Sequence, residues 1–239
     1  MSKAYRAIIS GLIVLVVSAF FSGLTPATAK PDEIRQRVFI HYPKPNHDGT
    51  NCQVTTDATR TTYGLPGWHM SAAGWNYRVN YSTIPSSLGG NINTILDRAT
   101  GTWNSADQDK DFNRLGSTGV SRARYDGTNL VAWGRVSGGA IAVTYVWYYV
   151  ASGQLAEADV IMNKRLAWSW NPAAAECALV HSYDAQNILT HELGHVAGLD
   201  DLYDPADRDL TMYGYGALGE TKKNTLGEGD KLGANAVAP

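Results

Sequence analysis

His191-Glu192-Leu193-Gly194-His195 sets two imidazoles and a carboxylate within five residues. Residues i and i+4 of a helix share one face about one turn apart, so both rings can reach a single metal ion. Glu192 stands next to the first ring, where its carboxylate can hold a water on the metal rather than the metal itself. Zinc held by neutral nitrogens lowers the pKa of such a water towards about 7. Glu192 would take the proton as the water attacks a carbonyl carbon and pass it to the leaving amine. The plainer alternative is two hydrogen-bonded histidines on an ordinary helix. Gly198 follows His195 by three residues, and glycine at a helix C-terminus permits a sharp left-handed turn. That turn can bring Asp201 back to the metal, completing a set of two histidines and one carboxylate. Asp200 is the rival ligand.

The elements around this segment must position it. Alternation over 76–81 predicts a strand. Ile92, Ile95, Leu96, Ala99 and Trp103 fall on one face of a helix over 92–103. Strands are expected at 119–125, 129–134, 140–150 and 158–163. A second helix runs from the N-cap Asp184 to about Ala197. A third begins near Thr225, where Thr225 and Glu228 fit a capping box. This order predicts one α/β (α+β) domain over 70–239. Residues 30–69, with Pro31, Pro43, Pro45 and Pro66, show no sustained period and read as an irregular extension lying on that domain.

The chain has 239 residues, 44% hydrophobic and 18% charged, which is a globular rather than a disordered profile. Its 20 basic and 22 acidic residues argue against a nucleic-acid binder working through a basic face. Residues 1–29 read as a secretory signal peptide. Lys3 and Arg6 precede the apolar stretch from Ala7 to Phe21, and Ala27-Thr28-Ala29 is a cleavage signal. An uncleaved membrane anchor is the alternative. The expected product is an extracellular, secreted monomer with no membrane contact after cleavage. In that compartment Cys52 and Cys177 are expected to pair, closing a loop of about 125 residues worth about 4–5 kcal/mol in the chain-entropy model. A reactive or metal-binding cysteine is the other reading.

The run from His191 to Asp201, followed by Met212 in Leu210-Thr211-Met212-Tyr213-Gly214, resembles the extended zinc motif and Met-turn of the metzincin metallopeptidases. The matrixin-like branch is the nearest resemblance. Residues 76–80, the Ala99-Thr100-Gly101-Thr102-Trp103 end of the first helix, and the run from Glu157 to Asn163 also resemble that branch. The resemblance covers roughly 70–236. It implies a twisted mixed sheet with three main helices, one catalytic Zn2+, and endopeptidase activity on protein or peptide substrates. Where most of the family has a third histidine, this chain has Asp201, as in the snapalysin type. By that register Asp201 rather than Asp200 is the third ligand, beside His191 and His195, with Glu192 as base and acid.

The resemblance further implies that Ala140, Ile141 and Ala142 open an edge strand above the cleft, to which an extended substrate adds. Tyr213 and Tyr215 would wall a substrate pocket, and Met212 would pack beneath the metal. Asn51-Cys52-Gln53 does not match a cysteine-switch motif, so no latency of that kind is expected. Asp107, Asp109, Asp111 and Asn113 alternate like the start of a Ca2+ loop, but Phe112 occupies the glycine position. Asp204, Asp207 and Asp209 read as a solvated acidic loop. His41, His47, His69 and His181 show no ligand spacing. Two other functional classes remain: a non-catalytic binding module of the same fold, and a zinc amidase acting on cell-wall peptides.

Overall fold

The computed structural model describes residues 32–45, 58–106, 111–172, 179 and 181–237. The expected signal peptide, Cys52 with Cys177, and Asp107 with Asp109 lie outside them. The described residues belong to one compact unit, Asp32–Pro239.

The strand expected near residue 76 forms as Trp75–Val79, burying Trp75, Tyr77 and Val79 and exposing Asn76 and Arg78, as a period of two requires. It is the second of nine strands among the described residues. They are β1 (Ile34–Pro43), β2 (Trp75–Val79), β3 (Phe112–Ser117), β4 (Asn129–Gly134), β5 (Ala142–Tyr149), β6 (Leu155–Asn163), β7 (Trp168–Ser169), β8 (Tyr183–Asp184) and β9 (Tyr215–Gly216). The helices are α1 (Ile92–Asn104), α2 (Ala185–Ala197) and α3 (Glu228–Ala236). Seven strands form one mixed sheet in the order β3-β2-β4-β6-β5-β1-β9, and β7 pairs with β8. β3, β2, β4 and β6 run parallel to one another. β5 runs antiparallel to β6, β1 antiparallel to β5, and β9 parallel to β1. The class is α+β.

The apolar stripe expected over 92–103 is the buried face of α1. Trp103 at its end donates from Nε1 to the Thr190 carbonyl at 2.7 Å, which locks α1 against α2. Every residue of α2 is buried, because the sheet, α1 and the segment after Leu199 enclose it. Asp184 caps it by accepting the Asn187 N–H at 2.8 Å.

Three expectations differ from the structure. Residues 119–125 form a loop rather than a strand, while the strand β3 forms just before it. The reason lies on β6: Glu157 accepts the N–H groups of Asp126 and Gly127, and Asp159 accepts that of Arg124. The end of the segment at Arg124, and the turn just beyond it, are thus tied to side chains of β6 rather than to a neighbouring strand's backbone. The third helix starts at Glu228, not Thr225, because Asp230 turns back to accept the Gly227 N–H at 2.9 Å.

The largest difference is at the N-terminal side. Ile34–Pro43, inside the stretch read as irregular, is a ten-residue strand. It pairs with β5 from Ile34↔Tyr149 to His41↔Ala142. The edge that Ala140, Ile141 and Ala142 were expected to open is therefore covered, and all three residues are fully buried. Pro43 is the last residue of this run and Pro45 lies beyond it, so neither interrupts it, and Val38, Phe39, Ile40 and Tyr42 favour extended chain.

Candidate metal centre

α2 carries His191 and His195 one turn apart, with both rings buried. Each ring uses Nδ1 to donate to a backbone carbonyl: His191 to Thr211 at 2.8 Å, and His195 to Leu199 at 3.0 Å. This fixes the tautomer and leaves both Nε2 lone pairs free. Gly198 ends the helix with φ 102°, a left-handed conformation favouring glycine. The chain then turns back and delivers Asp201, whose Oδ1 lies 3.3 Å from His191 Nε2 and 3.5 Å from His195 Nε2. These three side chains form one group able to hold a metal ion.

The electrostatics of this group are unusual without a cation. His191 Nε2 and Asp201 Oδ1 are buried and have no hydrogen-bond partner. Three acceptor atoms thus converge with no donor between them, an arrangement that is costly to bury unless a cation sits there. Burial, helped by the Lys223 charge, pushes His191 down to about 4, and burial also pushes His195 down. Burial pushes the Asp201 carboxyl up, but the neighbouring imidazoles outweigh it and hold it at about 2. Both rings are therefore neutral and the carboxylate is charged near neutral pH, which are the protonation states of metal ligands.

Asp200 points elsewhere. Its Oδ2 accepts from Arg37 Nη2 at 3.1 Å and its Oδ1 from the Asp201 N–H at 3.0 Å. Asp201 is held from its far side by the Tyr203 hydroxyl, which donates to Oδ2 at 3.1 Å.

Glu192 is fully buried beside the three ligand candidates. Its Oε2 accepts from Thr144 Oγ1 at 2.5 Å, and its Oε1 lies 3.0 Å from His41 Nδ1. Burial pushes the Glu192 carboxyl up to about 8 against the opposing Thr144 hydrogen bond. A carboxyl poised near neutrality can take and return a proton. His41, His191 and Glu192 also qualify as a group able to hold a metal. His41, however, already has a partner on each ring nitrogen, Glu192 on one side and Lys223 Nζ on the other at 3.2 Å.

Met212 lies beneath α2, where a Cβ on Gly194 would collide with its sulfur. The turn that carries it is tied down by Asp230, which accepts the N–H groups of Thr211 and Met212 at 2.8 and 3.0 Å. Tyr213 and Tyr215 follow, and both of their carbonyls accept from the buried Lys223 ammonium. The Tyr215 backbone pairs with Tyr42 of β1. The acidic loop is not wholly solvated: Asp207 is buried and accepts from Arg60 Nε at 3.1 Å.

His41, Thr144, Tyr203, Lys223 and Asp230 are the site residues that sequence reasoning missed. Tyr203, two residues beyond Asp201, had a local signal. His41 and Lys223 had none, since His41 lies 151 residues from its partner Glu192 and Lys223 lies 182 from its partner His41. Comparison with protein-family models finds no match, and comparison with curated proteins finds none either.

Proposed function

We propose that the chain is a secreted zinc endopeptidase in which His191, His195 and Asp201 hold the metal and Glu192 moves the proton. The observation that carries this reading is the convergence of two ring nitrogens and a carboxylate oxygen, of which His191 Nε2 and Asp201 Oδ1 are buried without a hydrogen-bond partner. Two nitrogens and one carboxylate oxygen suit zinc, and three protein ligands are the number found in catalytic zinc sites. Bound there, zinc would supply Lewis acidity, acidifying a water and polarising the scissile carbonyl. The remaining work falls to the chain's own groups. Thr144 orients the Glu192 carboxylate, which takes the proton at one oxygen and gives it to the departing amine. Tyr203 keeps Asp201 turned towards the two rings. The backbone of β5 offers an extended peptide its hydrogen-bonding edge once that edge is free. The agreement of this site with the resemblance to metzincins supports the same reading.

The test is metal content and casein hydrolysis together, on the chain as purified and after a cut between β1 and β2. Bound zinc, hydrolysis lost with chelator and regained with added zinc, and hydrolysis sharply reduced in Glu192→Ala are the expected results. A zinc-loaded chain that cleaves neither casein nor peptides, cut or uncut, overturns the peptidase reading. Cleavage confined to cell-wall peptides would move the substrate class.

A further inference from the structure

β1 is an unusual member of the sheet. Of its ten residues only Phe39 and His41 are buried. A strand integral to a core buries a whole face, whereas on the face of Phe39 and His41 both Arg35 and Arg37 are exposed, and on the other face Val38 is 41% exposed. The two buried residues both sit on the metal centre. The Phe39 ring stacks on His195 with centroids 3.9 Å apart and planes 12° from parallel. The His41 ring lies 3.9 Å from that of His191. The strand is seated between two partners, antiparallel to β5 and parallel to β9. The Ile141 N–H donates to the His41 carbonyl at 2.7 Å, and the Lys44 N–H donates to the Gly216 carbonyl at 2.8 Å.

The His41 side chain enters a pocket walled by Ile141, Ile188, Gly216 and His191. A Cβ on Gly216 would lie 2.9 Å from Ile141, 3.0 Å from Ile188 and 3.0 Å from His41 Nε2. Lys223 forms the floor. It has three N–H donors: two go to the Tyr213 and Tyr215 carbonyls and the third to His41 Nε2. His191 Nδ1 is also near Lys223, but it is a donor to Thr211 and offers no acceptor. The third donor of Lys223 is therefore aimed at whatever side chain fills the pocket. An occupant without an acceptor would leave it buried and unpaired, which is costly.

We propose that β1 is a tethered stand-in for the substrate, and that Lys223 makes the pocket it fills select a side chain that accepts a hydrogen bond. This rests on the peptidase reading and adds the state and the substrate class to it. With β1 seated, His41 engages Glu192 and the groove is closed. With β1 gone, β5 and β9 both present unpaired backbone, and an extended peptide running in the direction of β1 restores both ladders. Glutamine, glutamate, asparagine, aspartate or histidine at the His41 position satisfies Lys223, while leucine does not.

The experiment uses the zinc-loaded chain carrying Glu192→Gln, so that bound peptide is not consumed, with a site for a sequence-specific protease inserted within 46–57. Labelled peptides of residues 34–43 carry His, Gln, Glu or Leu at position 41, and binding is read by fluorescence anisotropy before and after the cut. The uncut chain should bind none. The cut chain, cleared of β1, should bind the His, Gln and Glu peptides, and the Leu peptide at least tenfold more weakly. Lys223→Met should shrink that ratio below threefold. The peptide series on unaltered Lys223 needs no folded Lys223 variant. Equal binding of the Gln and Leu peptides overturns selection by Lys223. A cut chain that never exchanges β1, or unfolds without it, makes β1 a fixed strand and overturns the proposal. Selective binding without hydrolysis by the cut wild-type chain would retract the peptidase reading and leave the groove assignment standing.

Discussion

His41 Nδ1 lies 3.0 Å from Glu192 Oε1, with both side chains fully buried. Burial, reinforced by His191 and Lys223, pushes His41 far below its ordinary value, so it is a neutral ring. With Nε2 accepting from Lys223, Nδ1 carries the hydrogen and donates to the carboxylate. The group assigned to proton transfer is therefore occupied by a side chain from 151 residues away.

In the chain cut between β1 and β2, Glu192→Ala should lower casein hydrolysis by about 10²–10⁴-fold, the usual contribution of a positioned acid–base group. Zinc content should stay that of the wild type, because Glu192 is not among the three convergent ligand atoms. Metal analysis beside an activity assay checks both halves, and loss of zinc in this variant would make Glu192 a ligand.

Tyr203→Phe removes the hydroxyl that donates to Asp201 Oδ2. Such outer hydrogen bonds are worth about 10–100-fold in metal affinity. Competition with a chelator should show a loss in that range, against almost complete loss of zinc from Asp201→Ala and wild-type affinity in Asp200→Ala. Retention of zinc by Asp201→Ala together with its loss from Asp200→Ala would reverse the ligand assignment.

Gly194→Ala tests the packing beneath the candidate ligands. Alanine raises helix propensity by about 1 kcal/mol. Its Cβ, however, would lie 2.7 Å from the Trp103 ring and run into the Met212 sulfur. Both neighbours are buried and have little room to yield. Overpacking costs about 1–3 kcal/mol, so the variant should be the less stable one in urea denaturation. A gain in stability would show that the Met212 turn yields easily.

Asp159 predicts a pH dependence away from the metal. Burial pushes its carboxyl from 3.8 up to about 8, opposed by the Arg124 backbone hydrogen bond. Between those values the unfolded chain has released the proton and the folded chain retains it, so this group makes stability fall as pH rises through that window. Over pH 4 to 8 the denaturation midpoint of Asp159→Asn should therefore fall less, or rise more, with pH than that of the wild type. Parallel profiles for the two proteins would show that Asp159 is ionised in the fold.

Local sequence determined the parts of this protein that depend on short-range geometry. A 3.6-residue period placed His191 and His195 on one helix face, and the apolar stripe of α1 followed the same rule. The αL preference of glycine at Gly198 determined the turn that returns Asp201. Tertiary structure decided the rest. Thr144, His41 and Lys223 meet around Glu192 and His191 only because β5, β1 and the segment before α3 converge there, and no spacing in the chain encodes that meeting. Asp230 organises the Met212 turn from beyond it in the same way. The covering of β5 by β1 was hidden for the same reason. A strand's propensity is local, but its partner is chosen by the edge left open once the other strands have paired.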